Sequence, residues 1–170
     1  MNLQLIGINH KTSSVKEREA FIINDSTQIV LKDLFKAQLK KRVTSFFGIS
    51  TCNRTELFIL GDSNINEEVY EIVSDLFKSK INVNKFYFLK GDDAFIHMCK
   101  VASGIDSQII GEQEVFGQFK NAFERAKQLK LLDKNMTNVC NSVISIVKKV
   151  RNITDIGLNP MSIGGLTVKL

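Results

Sequence analysis

Two stretches in the second half of the chain place almost all their apolar residues on one helical arc. In residues 112–130 these are Val115, Phe116, Phe119, Ala122, Phe123, Ala126 and Leu129. In residues 134–154 they are Met136, Val139, Cys140, Val143, Ile144, Val147 and Val150. At 3.6 residues per turn each set is a stripe that must be buried against another layer. A shorter helix is expected at 92–103, and no strand pattern occurs after Gly91.

The first half supplies that layer. Leu3 to Ile8 alternates as a strand, and Thr27 to Leu39 has helical spacing. Val43 to Ile49 and Glu56 to Leu60 are apolar runs of strand length, Val69 to Phe77 is an amphipathic helix, and Lys85 to Lys90 is a fourth strand. The order βαββαβ is that of the ferredoxin-like, or split βαβ, unit, an antiparallel sheet with both helices on one face. The sequence therefore predicts an α+β chain: a ferredoxin-like βαββαβ subdomain at 1–91, then a helical subdomain at 92–157 that covers the open face. Gly157 and Pro160 end the last helix, so residues 158–170 are expected to begin a linker or next domain that stops at Leu170.

A length of 170 residues with 44% hydrophobic content suffices for one sizeable core. No run approaches the roughly 18 apolar residues of a transmembrane helix, and the N-terminus lacks the features of a signal peptide. A cytoplasmic protein without membrane contact is expected. The net charge of +5 permits a polyanionic partner. Basic residues gather at Lys36, Lys40, Lys41 and Arg42 and at Lys148, Lys149 and Arg151, either as phosphate contacts or as solvated helix faces. Three cysteines without CxxC spacing and two histidines argue against a disulfide framework and against a metal site.

The chemistry concentrates at STCNRTELF, residues 50–58, where Cys52 falls at a strand-to-strand turn. A nucleophilic cysteine needs donors or positive charge nearby and access to solvent. Thr51 and Asn53 offer donors, and Arg54 a charge that can hold a carboxylate bidentately. The alternative is a small buried residue at a strand end. His97 is either a catalytic group or a histidine satisfied on its helix. In residues 101–118, Asp106, Ser107, Glu112, Glu114 and Gln118 cluster among three glycines, as a binding loop or as a helix-to-helix connection.

GINHKTSSVKERE (7–19), STCNRTELF, HMCKVASGIDSQIIGEQEVFGQ (97–118) and KKVRNITDIG (148–157) together closely resemble the N-terminal catalytic domain of glutamyl-tRNA reductase. That family reduces glutamyl-tRNA with NADPH to glutamate-1-semialdehyde, for tetrapyrrole (porphyrin and haem) biosynthesis. The resemblance implies that Cys52 attacks the aminoacyl ester to form a glutamyl thioester, with His97 as a second catalytic residue. It implies a glutamate pocket of Thr51, Asn53 and Arg54, with Arg54 on the side-chain carboxylate and Ser107, Glu112, Gln113, Glu114 and Gln118 as the other wall. The loop reads GEQEVFGQ where GEPQILGQ is common, so Gln113 and Glu114 stand in place of Pro and Gln. NADPH is implied for the full-length protein, yet no strand-GxGxxG-helix unit occurs in these 170 residues. Implied partners are glutamyl-tRNA and the next pathway enzyme, glutamate-1-semialdehyde aminomutase. A full-length homodimer and a monomeric fragment are expected. A tRNA- or protein-binding module without residual catalysis is the alternative function.

Overall fold

The computed structural model describes residues 2–77, 82–107, 111–154 and 156. Four strands, β1 (Asn2–Asn9), β2 (Val43–Ser50), β3 (Arg54–Gly61) and β4 (Tyr87–Lys90), form a sheet in the order β2-β3-β1-β4. All neighbours are antiparallel. Successive strand residues point to opposite faces, so a strand covered on both sides needs an unbroken apolar run. This is why Glu56–Leu60 does not alternate, and every residue of β3 is buried. In β2, Phe46 packs edge-on against Phe35 on one face (5.0 Å between centroids). Phe47 stacks on Phe58 (5.1 Å) on the other and meets Phe119 of the helical half (5.8 Å). One continuous core thus runs through both faces of the sheet, and truncating a residue such as Phe47 to Ala costs roughly 3–5 kcal/mol.

The first connection departs from the single helix expected at Thr27 to Leu39. It holds α1 (Val15–Glu19) and α2 (Asp25–Leu34), then a π-helical turn at Phe35–Leu39 and a 3-10 turn at Lys40–Arg42. The element order is accordingly βααββαβ before the helical half. Local capping explains both extra boundaries. Ser14 and Glu17 form a reciprocal capping box that starts α1, and the Asn24 side chain accepts from Thr27 N–H to start α2. Phe35 and Leu39, at the two ends of the π turn, are both buried.

After α3 (Asn66–Phe77) and β4 come α4 (Asp92–Ser103), α5 (Gln113–Gln128) and α6 (Lys134–Ile153). The α5 and α6 stripes are buried as expected through Val115, Phe119, Phe123 and Ala126, and through Met136, Cys140, Val143 and Val147. The α5–α6 connection also closes the outer edge of β2: Phe46 N–H and Ser45 Oγ both donate to the Leu131 carbonyl at 3.2 Å. Gln28 of α2 accepts from Gly48 N–H at 2.9 Å, so this edge is not left open to another strand. Residues 158–170, expected to begin a further segment, lie outside the described residues.

Candidate active site

Thr51, Cys52 and Asn53 join β2 to β3, which puts Cys52 at a hairpin tip. Four hydrogen bonds pin this turn. Thr51 N–H donates to the Arg54 carbonyl (2.8 Å) and Asn53 N–H to Thr51 Oγ1 (3.2 Å). His10 N–H donates to the Asn53 carbonyl (2.9 Å), and Arg18 Nε to the Cys52 carbonyl (3.0 Å). Arg18, itself buried, also donates from Nη1 to the Ser13 carbonyl. Of the three cysteines Cys52 alone is exposed. Burial raises the Cys99 thiol pKa and pushes that of Cys140 up to about 12. Cys52 borders a cleft of about 560 Å³, with Ser50, Thr51 and Asn53 beside it and Val15, Arg18, Glu19 and Ile22 opposite. Exposure and a fixed positive charge close by are what a cysteine nucleophile needs.

Further along β3 the core turns polar. Glu56 directly opposes Gly7 of β1, and Gly7 directly opposes Tyr87 of β4, so all three share one face. Gly7 lets its two neighbours meet above it. A Cβ there would lie 2.8 Å from Glu56 Cγ and 3.0 Å from the Tyr87 hydroxyl. Glu56 is fully buried, and its Oε1 accepts from Arg54 Nη1 (2.7 Å), the Tyr87 hydroxyl (2.5 Å) and His97 Nε2 (2.8 Å). Arg54, 1% exposed, also donates from Nη2 to Asp106 Oδ2 (3.0 Å) and to the Asp106 carbonyl. Lys11 Nζ closes the set on Asp106 Oδ1 (2.7 Å).

The charges sustain one another. Burial pushes the Glu56 carboxyl toward its neutral form, but the His97 hydrogen bond and the Arg54 charge outweigh it and hold the pKa below the ordinary carboxylate value. Burial likewise opposes the Arg54 charge, and Glu56 more than restores it. Asp106 is drawn down in spite of burial by its bonds to Lys11 and Arg54, while burial and the Glu56 charge raise Tyr87 and keep it a donor.

With this geometry in place, residues 6–154 match the family model described as glutamyl-tRNAGlu reductase, N-terminal domain. The chain belongs to the glutamyl-tRNA reductase family. It is 36% identical over 175 residues to glutamyl-tRNA reductase of Saccharophagus degradans, covering 100% of this chain and 40% of that protein. It is 34% identical over 174 residues to that of Vesicomyosocius okutanii, covering 99% of this chain and 41% of the relative. The solved glutamyl-tRNA reductase from Methanopyrus kandleri superposes with a TM-score of 0.77 at 30% identity, covering 98% of this chain and 38% of that one. The chain spans about two fifths of the length of these relatives.

Within this glutamyl-tRNA reductase domain the expected site residues fall into separate groups. Thr51, Cys52 and Asn53 share the first cleft. Arg54 and His97 lie in the buried network, with Arg54 Nη1 and Nη2 already turned on Glu56 and Asp106. Gln118 lines a second cleft of about 570 Å³ that meets the first at Ser50. Its Nε2 donates to Glu114 Oε1 (3.3 Å), and its buried Oε1 has no partner among the described residues. Glu112 caps α5 by position only, its pKa raised by burial and then by the charge of Glu114. Ser107 N–H turns back on the Gly104 carbonyl (3.4 Å), and the Gln113 side chain lies outside the described residues. Ser107, Glu112 and Glu114 do not line the cleft of Cys52; α1 does, because Arg18 binds the Cys52 carbonyl and brings the helix there. Sequence reasoning missed Glu56, Tyr87 and Arg18. A carboxylate two places from Arg54 in a strand shares its face, and that period was the available signal for Glu56.

The described strand-to-helix turns do not suit a dinucleotide. Residues 10–14, between β1 and α1, contain no glycine. Gly61 and Gly91 precede α3 and α4, whose first turns carry Glu67 and Glu68, and Asp92 and Asp93. Those carboxylates would repel a pyrophosphate. Among the described residues, no three His, Cys, Asp or Glu side chains group as metal ligands, and no helix is long and apolar enough to cross a membrane.

Proposed function

We propose that this chain is the nucleophile-bearing domain of a glutamyl-tRNA reductase, in which Cys52 takes the glutamyl group from glutamyl-tRNA. The exposed thiol on a pinned hairpin tip at a cleft is the observation that carries the reading. Sulfur attacks the ester carbonyl carbon, the S–C bond forms, the C–O bond to the terminal ribose breaks, and the thiol proton ends on the departing hydroxyl. The product is a glutamyl thioester, far more electrophilic toward hydride than a carboxylate. Reduction to glutamate-1-semialdehyde for tetrapyrrole synthesis requires a hydride donor that the described residues do not hold.

Thr51 and Asn53 border the sulfur. Arg54 takes the side-chain carboxylate of glutamate in exchange for Asp106, whose side chain is 19% exposed where that of Glu56 is 0%. Because ionised Glu56 accepts from His97 Nε2, Nδ1 is the ring atom left to take or give a proton. The sheet order β2-β3-β1-β4 supports a split βαβ unit in residues 1–91 with one helix added to its first crossover, and residues 92–157 as the helical subdomain that backs it. The test is intact-protein mass spectrometry after mixing the chain with glutamyl-tRNA and quenching in acid. An adduct of one glutamyl residue is expected on the wild type and not on Cys52→Ser. An adduct on both proteins overturns the assignment of Cys52, and bound tRNA without any adduct returns the domain to a binding module.

A further inference from the structure

In the wall opposite Cys52, Arg18 is turned on two backbone carbonyls, and the other side chains include an apolar pair that glutamate does not need. Val15 and Glu19 of α1, and Ile22 just beyond it, line the cleft. Val15 is 60% exposed and Ile22 45%, although the neighbours Phe21 and Ile23 are buried. The helix cannot roll to hide these side chains. Arg18 fastens it inward to the Cys52 and Ser13 carbonyls, and Glu17 is held by Lys85 and by its capping box with Ser14. A rigidly presented apolar surface beside a nucleophile calls for a ligand with an apolar face. Glutamate offers only short methylenes between charged ends.

The leaving group does offer one. In the transfer proposed above, on which this inference rests, the alcohol that departs from the carbonyl carbon is the ribose of the adenosine that ends every tRNA. Its base must therefore lie within one sugar's reach of Cys52. We infer that the Val15–Ile22 face of the cleft is the subsite for the 3′-terminal adenosine of the tRNA. The purine lies on Val15 and Ile22, and the Glu19 carboxylate accepts from the adenine amino group. A volume of about 560 Å³ falls within the range of small-molecule sites. Exposed Lys16, next to Val15, faces the phosphates that follow the adenosine, and the net charge of +5 suits a polyanion.

Alkylation of Cys52 by iodoacetamide, followed by peptide mass mapping, tests this without any transfer chemistry. The oligonucleotide ACCA should slow labelling of Cys52 and ACC should not, with Cys99 unaffected by either. Val15→Ser/Ile22→Ser, two changes at exposed positions, should abolish the protection. In acylation, the double variant should lose roughly ten-fold more rate with glutamyl-tRNA than with a glutamyl thioester of a small thiol, because only the tRNA buries the apolar face. Equal protection by ACC and ACCA, or equal losses with both donors, overturns the subsite. Protection by NADPH but not by ACCA overturns it too, and assigns the face to the nicotinamide. Selective ACCA protection without an adduct from either donor sinks the nucleophile and leaves the subsite standing.

Discussion

Replacing Glu56 by glutamine keeps its shape and removes its charge. In Glu56→Gln, a neutral amide oxygen must accept the bonds now made at 2.7, 2.5 and 2.8 Å by Arg54, Tyr87 and His97. Arg54, 1% exposed, keeps Asp106 as its one carboxylate. Removing one partner of a buried pair costs about 3–5 kcal/mol, and the surviving Asp106 contact places this case near about 3 kcal/mol. For a chain of this length that lowers Tm by about 6–12 °C at pH 7. The pH dependence tests the same charge. The folded-state pKa of Glu56 is lowered, so its contribution is fully present above the unfolded value of about 4.3 and is lost as pH falls through the folded value. Urea unfolding of both proteins between pH 7 and pH 3 should show a gap that closes on acidification. A gap below about 1 kcal/mol at pH 7, or one unchanged down to pH 3, would refute an ionised Glu56 in the core.

Gly7→Ala drives a Cβ to 2.8 Å from Glu56 Cγ and 3.0 Å from the Tyr87 hydroxyl, an overpacking of about 1–3 kcal/mol. Tyr87→Phe in the same background should recover part of it in thermal unfolding, and strict additivity of the two changes would deny the contact. Iodoacetamide at pH 7 should label Cys52 first, half-buried Cys99 more slowly, and Cys140 only on unfolding; equal rates by peptide mass mapping would contradict the placement. Arg18→Met keeps the stem but loses two donors, costing about 1–2 kcal/mol. It should slow acylation of Cys52 more than that loss explains, and a wild-type acylation rate would show that the pinned turn is unnecessary. Arg54→Met/Glu56→Leu should be more stable than Glu56→Gln alone yet poorer in acylation; denaturant melts and intact-mass kinetics decide both halves.

The parts of the fold that repeat were legible. The α5 and α6 stripes and the run Glu56–Leu60 announce their burial through spacing alone. Helix α1 was not, because the five residues Val15–Glu19 are fewer than two turns and show no period. Its start was nonetheless written in Ser14 and Glu17, three places apart, as a capping box. The π turn at Phe35–Leu39 was not legible either, because Phe35 and Leu39 are four places apart and would share a face in an α-helix as well. In the site, the place of Cys52 at a strand-to-strand turn was readable from the apolar runs that flank it. The network was not: Arg54 and Asp106 lie 52 residues apart and Lys11 and Asp106 95 apart, and their meeting depends on where the loop after α4 returns.

Buried charges are a poor way to stabilise a core, since an apolar set of similar volume does as well or better. Apolar contacts, however, are non-directional, whereas hydrogen bonds to a guanidinium and a carboxylate fix both distance and angle. Here the directional contacts converge on β3, directly after the turn that carries Cys52. Lys11 ties in the connection from β1 to α1 through Asp106, Asp106 brings the loop that follows α4, and His97 brings α4 itself. From the opposite side Arg18 fastens α1 to the Cys52 carbonyl. Cys52 thus stands where segments from both halves of the chain are held in register by bonds that tolerate little sliding. An acyl transfer needs such placement, because its rate falls steeply when the reacting atoms are displaced by even about 1 Å. The stability forgone by burying Arg54 and Glu56 is therefore best understood as the cost of positioning Cys52 rather than as a defect of the core.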